Sequence, residues 1–369
     1  MATNITGIIT GIKYVPLLGE QLPEYDFAQF NINSAKTACI VHDRQYTFAL
    51  SKWVSPKRSR SYPFERVYNT LNHSKKITVI PVVKDEGEQG DCDYVQWDTV
   101  SLMSLLDVFV IFAYYDTAEV NPRNKQKITR QQFNAQFVNK KIREIEQYHS
   151  SALHWNLNEL KTNFSKILDK ADCAYKTIER NTGVKLHSRE GLAKIKKTIR
   201  DNTADFFMEL SRQKSEQAQK RESVTVQPKE SLQSLSKATI TICNYLGGKY
   251  FLTADEVGFE GKKIILVESK HSKKTLLPSV GDIKDGLWKM ALFSNLSCVA
   301  VNEIPMKSEA VLVLTSPKIK SRVCSKESAK SVDTLLTQNK FSPKQMEIVK
   351  TLFEEAKRNN FVVEIHYSP

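Results

Sequence analysis

The chain has 369 residues, long enough for two or three domains with ample core, and carries 54 Lys and Arg against 41 Asp and Glu, a formal net charge of +13. An excess of this size favours polyanions, because neutralising phosphates releases condensed counterions, and nucleic acid is the natural partner. The six cysteines are scattered, with no Cys-X-X-Cys pair and no His cluster at zinc spacing, which argues against a disulfide scaffold or a zinc site and for a reducing compartment. No secretion-type leader is visible, and no run approaches the roughly 18 to 20 apolar residues that span a bilayer, so a cytoplasmic protein is expected.

In chain order, residues 1–125 read as an α/β region. Ile5 to Tyr14, Ala38 to Val54 and Ile77 to Val83 are rich in β-branched and aromatic residues, and Ser101 to Ala113 fits either a buried helix or a strand. Between them, Lys57 to Arg66 interleaves cations, hydroxyls and aromatics. Lys57, Arg58, Arg60 and Arg66 are therefore candidates for DNA contact, with a solvated basic loop as the plain alternative. Lys84 to Asp98 gathers acids beside glycines, either as an accessory metal or catalytic loop or as a surface loop anchored by Trp97.

Residues 126–225 read as helical. Gln132 to Tyr148, Leu153 to Arg180 and Ser188 to Lys214 place apolar residues three and four apart amid dense charge, which predicts amphipathic helices forming an arm, a DNA clamp or a dimer interface. Lys194, Lys196, Lys197 and Arg200 suit phosphate contact. The polar stretch from Gln213 to Glu230 reads as a linker, with a seam near 225.

Residues 226–369 carry the chemistry. Lys262 to Lys270 is an apolar strand ending in Glu268-Ser269-Lys270, and strand alternation puts Glu268 and Lys270 on one face with Val267 and Ser269 on the other. A second carboxylate from a neighbouring strand would complete a site for a hard divalent cation, which takes oxygen ligands. Asp255 and its neighbour Glu256 compete for that role, and a regular strand sends them to opposite faces. Gly258 and Gly261 mark a hairpin between the two strands. A helix follows Pro278, with Ile283, Leu287, Met290 and Ala291 on one face and Lys284 and Lys289 as outer-face cations able to approach phosphate, with plain solvation as the alternative. Cys298 to Val301 and Ala310 to Thr315 read as buried strands. A capped helix starts at Ser342 with Pro343 at its first position, and Phe361 to Tyr367 reads as a last strand.

The segment Tyr250 to Lys270 resembles the PD-(D/E)XK nuclease core, in which a hairpin carries Asp on its first strand and Glu-X-Lys on its second. Within that superfamily it looks most like a type II restriction endonuclease. The resemblance covers roughly the last third of the chain and departs from the signature at Ala254, where the family often has proline. It implies an α/β fold with a mixed-sheet PD-(D/E)XK-like core at 226–369, beside the N-terminal α/β region and the helical middle. It further implies Mg²⁺ held by Asp255 and Glu268, water assisted by Lys270, double-stranded DNA as substrate, and a DNA methyltransferase encoded separately. Lys273 and Lys274, just past the strand, join the candidate DNA contacts, and cutting both strands predicts a homodimer. No Gly-X-X-X-X-Gly-Lys-Ser/Thr loop is present, so cleavage would be ATP-independent. The rivals are a non-catalytic DNA-binding protein and a repair or recombination nuclease with the same core.

Overall fold

A computed structural model of the chain describes residues 4–44, 46–57, 63–95, 97–188, 190–193, 238–244 and 249–369. Arg58, Arg60, most of the expected third helix with Lys194, Lys196, Lys197 and Arg200, the polar linker and the seam near 225 lie outside the described residues. The chain is mixed α/β and divides into two compact units, Met1–Glu20 with Ser215–Pro369, and Gln21–Lys214. Strand β1 (Asn4–Ile9) belongs to the first of these because it pairs in parallel with a strand far along the chain, Ile5 opposite Ile240. No described helix is long and apolar enough to cross a membrane.

The unit Gln21–Lys214 opens with β2 (Glu24–Asp26), β3 (Ala38–Asp43), β4 (Tyr46–Lys52), α1 (Pro63–Thr70), β5 (Lys76–Pro81), the hairpin β6 (Val83–Asp85) and β7 (Cys92–Tyr94), α2 (Trp97–Leu105) and β8 (Val108–Ala113). A sheet of order β2-β3-β4-β5-β8 results, with β4, β5 and β8 parallel. Both β5 and β8 are buried along their whole length, as continuous apolar runs are when a sheet is covered on both faces. The segment 101–113 thus contains both alternatives: α2 ends, Asp107 turns through a positive φ of 54°, and β8 begins.

A second hairpin follows, β9 (Tyr115–Val120) and β10 (Ile128–Phe133), then α3 (Ala135–Glu146), α4 (Ala152–Asn158) and α5 (Phe164–Thr182), with one π turn at Glu159–Asn163 joining the last two. Asn134 and Ser151 cap α3 and α4 through their side-chain oxygens. These helices pack on the sheet of this unit. Ile167, Leu168, Ala171, Tyr175 and Ile178 bury one face of α5, and Phe164 meets Phe112 of β8 edge-on at 4.9 Å.

The other unit continues with β11 (Ala238–Asn244), β12 (Lys249–Ala254), β13 (Glu256–Glu260), β14 (Lys263–His271), α6 (Val280–Phe293), β15 (Ser297–Val301), β16 (Ile304–Pro305), β17 (Lys307–Ser316), β18 (Val323–Cys324), α7 (Ala329–Gln338), α8 (Pro343–Arg358) and β19 (Val362–Tyr367). Two sheets form, β12-β11-β1-β15-β16 and β13-β14-β17-β19-β18. In the second, β14, β17 and β19 are parallel and β13 is antiparallel to β14. Gly261, at φ +58°, makes the tight turn between β13 and β14, a left-handed conformation that favours glycine. Helix α6 buries Ile283, Leu287, Met290 and Ala291 as the periodicity predicts. Helix α8 starts in a full capping box of Ser342 and Gln345.

Candidate active site at the end of β14

The Ile264-Ile265-Leu266-Val267 run holds β14 between β13 and β17, so the polar residues that follow emerge at the carboxyl end of a parallel strand. Glu268 stands opposite Leu312 and Lys270 opposite Leu314. Glu268 is 2% exposed. The expected first strand is divided: Lys249–Ala254 pairs in one sheet, Glu256–Glu260 in the other, and Asp255 is the bend between them. That bend is fastened to β14 from both sides of the residue. The Asp255 N–H donates to the Val267 carbonyl at 2.9 Å, and its Oδ2 accepts from the Ser269 N–H at 2.9 Å. Glu256 is paired directly with Val267, so it shares the face of Val267, Val311 and Val362 rather than that of Glu268.

Both oxygens of Glu268 are engaged. Lys270 Nζ lies 3.0 Å from Oε1, and Lys289 Nζ donates to Oε2 at 2.5 Å and to the Thr253 carbonyl at 3.2 Å. Lys270 also donates to Asp285 Oδ2 at 2.7 Å. Asp285 and Lys289 stand four apart on α6 and so share a helix face. Gly286, between them, lets the helix come close: a Cβ there would lie 2.7 Å from Leu312 Cδ1 and 3.4 Å from Lys270 Cε.

Burial pushes the Glu268 carboxyl above its usual range, and the charge of Asp255 adds to this, against the pull of Lys289 and Lys270. For Lys270 burial works toward the neutral amine, but Glu268 and Asp285 outweigh it and hold the ammonium well above its ordinary value. Lys270 is therefore a proton-bearing donor here, suited to orienting a nucleophile or neutralising developing charge rather than to abstracting a proton. Fully ionised, three carboxylates face two ammonium groups. The single negative charge left over, on hard oxygen donors, fits a divalent cation held by Asp255 and Glu268.

The sequence singled out Lys284 and Lys289 as outer-face cations able to approach phosphate, and it gave no sign of Asp285. Both lysines turn inward: Lys284 is fully buried and pairs with Glu20 at 2.8 Å. Among the other candidates, Lys273 and Lys274 are exposed on the loop after β14. Lys57 and Arg66 belong to the other unit. Lys57 Nζ is 3.9 Å from Asp93 Oδ1, and Arg66 donates to the Lys52 carbonyl at 2.9 Å, its guanidinium basicity lowered by burial. That unit also contains a cleft of about 500 Å³ whose lining includes Lys52, Lys84, Lys127, Arg130, Tyr115 and Gln131. The acidic segment 84–98 is the β6–β7 hairpin with α2 following, and it buries Asp85 and Asp93. Comparisons with models of protein families, with curated proteins and with solved structures return no match.

Proposed function

We propose that the chain is a Mg²⁺-dependent, sequence-specific endodeoxyribonuclease of the type II restriction class, with a PD-(D/E)XK-like catalytic core in residues 226–369. The observation that carries this reading is the convergence of Asp255, Glu268 and Lys270 at the carboxyl end of β14, the end of a parallel strand where open α/β sheets bind their ligands. The order of β13 antiparallel to β14, then α6, then β17 parallel to β14 supports it, because the resemblance implies a hairpin followed by a helix.

On this reading Asp255 and Glu268 would hold the metal, which would supply charge neutralisation at the scissile phosphate and acidify the attacking water. Lys270 donates an N–H to the attacking water and to the negative charge that develops as the new P–O bond forms and the bond to the leaving oxygen breaks, the water giving a proton to solvent and the leaving oxygen taking one from it. Asp285 keeps the Lys270 ammonium aimed. Lys289 balances Glu268, and its Nζ would have to give up Oε2 for a divalent cation to be held there. Lys273, Lys274 and the net charge of +13 favour the phosphate backbone, and the cation-lined cleft with Lys57 and Arg66 offers a DNA contact surface in the other unit. A homodimer would place two sites on the two strands, and a separately encoded methyltransferase would protect host DNA.

One observation favours a second reading. With both Glu268 oxygens already on ammonium groups, the strand end is also a closed ion-pair network suited to a non-catalytic DNA-binding protein. Incubation with unmethylated plasmid and phage DNA, with and without Mg²⁺, separates the two. Discrete Mg²⁺-dependent fragments, lost in Glu268→Gln and Lys270→Met, are the expected result. Salt-sensitive binding with no cleavage would select the binding protein, and a smear on any DNA would select the repair-type nuclease.

A further inference from the structure

Away from β14, the fold gathers three unlike donors that lie far apart in sequence. A carboxylate oxygen of Asp85 at the end of β6, the sulfur of Cys92 at the start of β7 and a ring nitrogen of His187 beyond α5 lie within 4.8 Å of one another. The cluster is held by its surroundings. The Asp85 N–H donates to the Tyr175 hydroxyl at 3.1 Å, and its carbonyl accepts from Gln131 Nε2 at 2.6 Å. Its Oδ1 accepts from the Gly87 N–H at 2.9 Å and its Oδ2 from the His187 N–H at 3.0 Å, while His187 Nδ1 stands 2.8 Å from Oδ1. Backbone bonds from Glu86 to Asp91 at 2.9 Å and from Glu88 to Lys185 at 3.0 Å fix the hairpin and tie it to the segment carrying His187.

We propose that Asp85, Cys92 and His187 form a binding site for a zinc-like divalent transition metal, with a fourth position open to water. The donor set decides the class of ion. Magnesium and calcium take oxygen ligands throughout, whereas a thiolate with an imidazole selects zinc and its neighbours. In a tetrahedral site with metal–sulfur near ~2.3 Å and metal–nitrogen near ~2.1 Å, ligand atoms stand about 3.3 to 3.6 Å apart, so these three need shift by only about 1 Å. Asp85 is 1% exposed and Cys92 and His187 are half-buried, so two ligands can be reached from solvent while the third is fixed.

The protons balance. The Cys92 thiol loses its proton to solvent as the sulfur–metal bond forms. Metal on Nδ1 takes the place of any proton on that nitrogen, and Nε2 then carries the proton of the bound neutral ring. A thiolate and a carboxylate then match the charge of the ion, and no oxidant is involved. The metal would pin the β6–β7 hairpin to the chain leaving α5. This site is independent of the nuclease reading, in donor chemistry and in the residues used.

The test is titration of the full chain with Co²⁺, whose thiolate complexes absorb in the near ultraviolet. One equivalent should give a sulfur-to-cobalt band that Zn²⁺ abolishes, with one proton released per metal. Cys92→Ser should lose the band, His187→Ala should weaken binding at least about tenfold, and Asp255→Asn with Glu268→Gln should leave it unchanged. Alkylation of the wild type reads the same site without a variant: Zn²⁺ should shield Cys92 but not the exposed Cys173. Absence of the band in the wild type, its survival in Cys92→Ser, or equal alkylation of Cys92 with and without Zn²⁺ would overturn the proposal.

Discussion

Three lysines of Gln21–Lys214 and Lys270 of the other unit are all drawn out of solvent, yet their partners differ. In Gln21–Lys214, Lys52, Lys75 and Lys76 donate to backbone carbonyls, of Ile32 at 2.5 Å, Ile145 at 2.5 Å and His73 at 3.3 Å, while the buried Lys141 pairs instead with Glu144 and Glu159. Burial lowers the basicity of the three on carbonyls, with Lys52 brought from 10.5 to about 8. In the other unit Lys270 is also buried, yet Glu268 and Asp285 drive its basicity up. Burial sets the cost of a charge, and its neighbours decide whether the charge survives. A lysine on carbonyls staples the fold, whereas the lysines facing Glu268 at the carboxyl end of β14 make a charged centre of ammonium and carboxylate groups.

The contrast is broken most severely at Lys270. Lys270→Met should cut the rate of Mg²⁺-dependent cleavage by about 10²- to 10⁴-fold, as loss of a positioned donor at a reacting centre does, with DNA binding retained. Lys75→Met, in the other unit, should leave the cleavage rate alone and destabilise its unit by about 1 to 3 kcal/mol, because the last carbonyls of α3 lose their donor. Single-turnover rates and denaturant unfolding of the two variants read both effects.

Lys289 sharpens the same comparison through pH. Protons compete with metal for Glu268, whose pKa lies above 4.5, so the acid limb of the rate profile should fall above that value. Lys289→Met removes a charge that lowers this pKa. The acid limb should then move to higher pH, while at alkaline pH the Mg²⁺ concentration for half-maximal rate should drop several-fold, since no ammonium holds Oε2.

In the other unit, Lys52 gives a smaller and opposite signature. Native Lys52 gives up its proton near pH 8 and the unfolded residue near 10.5, so stability should rise with pH above 8. Burial also pushes the neighbouring Cys39 thiol from 9.0 to about 12, and the unfolded thiol ionises first, so above pH 9 the two slopes oppose each other and the rise levels off. Thermal midpoints between pH 7 and 10.5 should show the rise lost in Lys52→Met, and in Cys39→Ala a rise that continues past pH 9. Least in magnitude, Gly286→Ala gains up to about 1 kcal/mol of helix propensity but crowds Leu312 and Lys270, so it should slow cleavage with little change in unfolding midpoint.

What the sequence showed of the site follows from the range of each rule. Alternation along one strand is local, so Glu268 and Lys270 on one face were legible, and the periodicity of α6 marked its buried residues. Which lysines on that helix turn inward depends on carboxylates arriving from elsewhere, Glu268 on β14 and Glu20 near the start of the chain. No helical period contains that information. The pairing of β1 with β11, the meeting of Asp85 and Cys92 with His187, and the packing of α3 to α5 on their sheet are set by distant partners in the same way. Residues Ile128–Phe133, within the stretch expected to be helical, form strand β10 instead; the β9–β10 hairpin was not legible because its alternation is between half-buried and exposed positions on a largely polar sequence.

The central claim is that Asp255 and Glu268 hold a hard divalent cation beside Lys270. Mn²⁺ binding, followed by electron paramagnetic resonance on the full chain with duplex DNA, addresses it directly. The account predicts saturable Mn²⁺ binding, displaced by Mg²⁺ and lost in both Asp255→Asn and Glu268→Gln. Mn²⁺ binding that is absent, or unchanged in both variants, would contradict it and leave the end of β14 as a closed network of ion pairs.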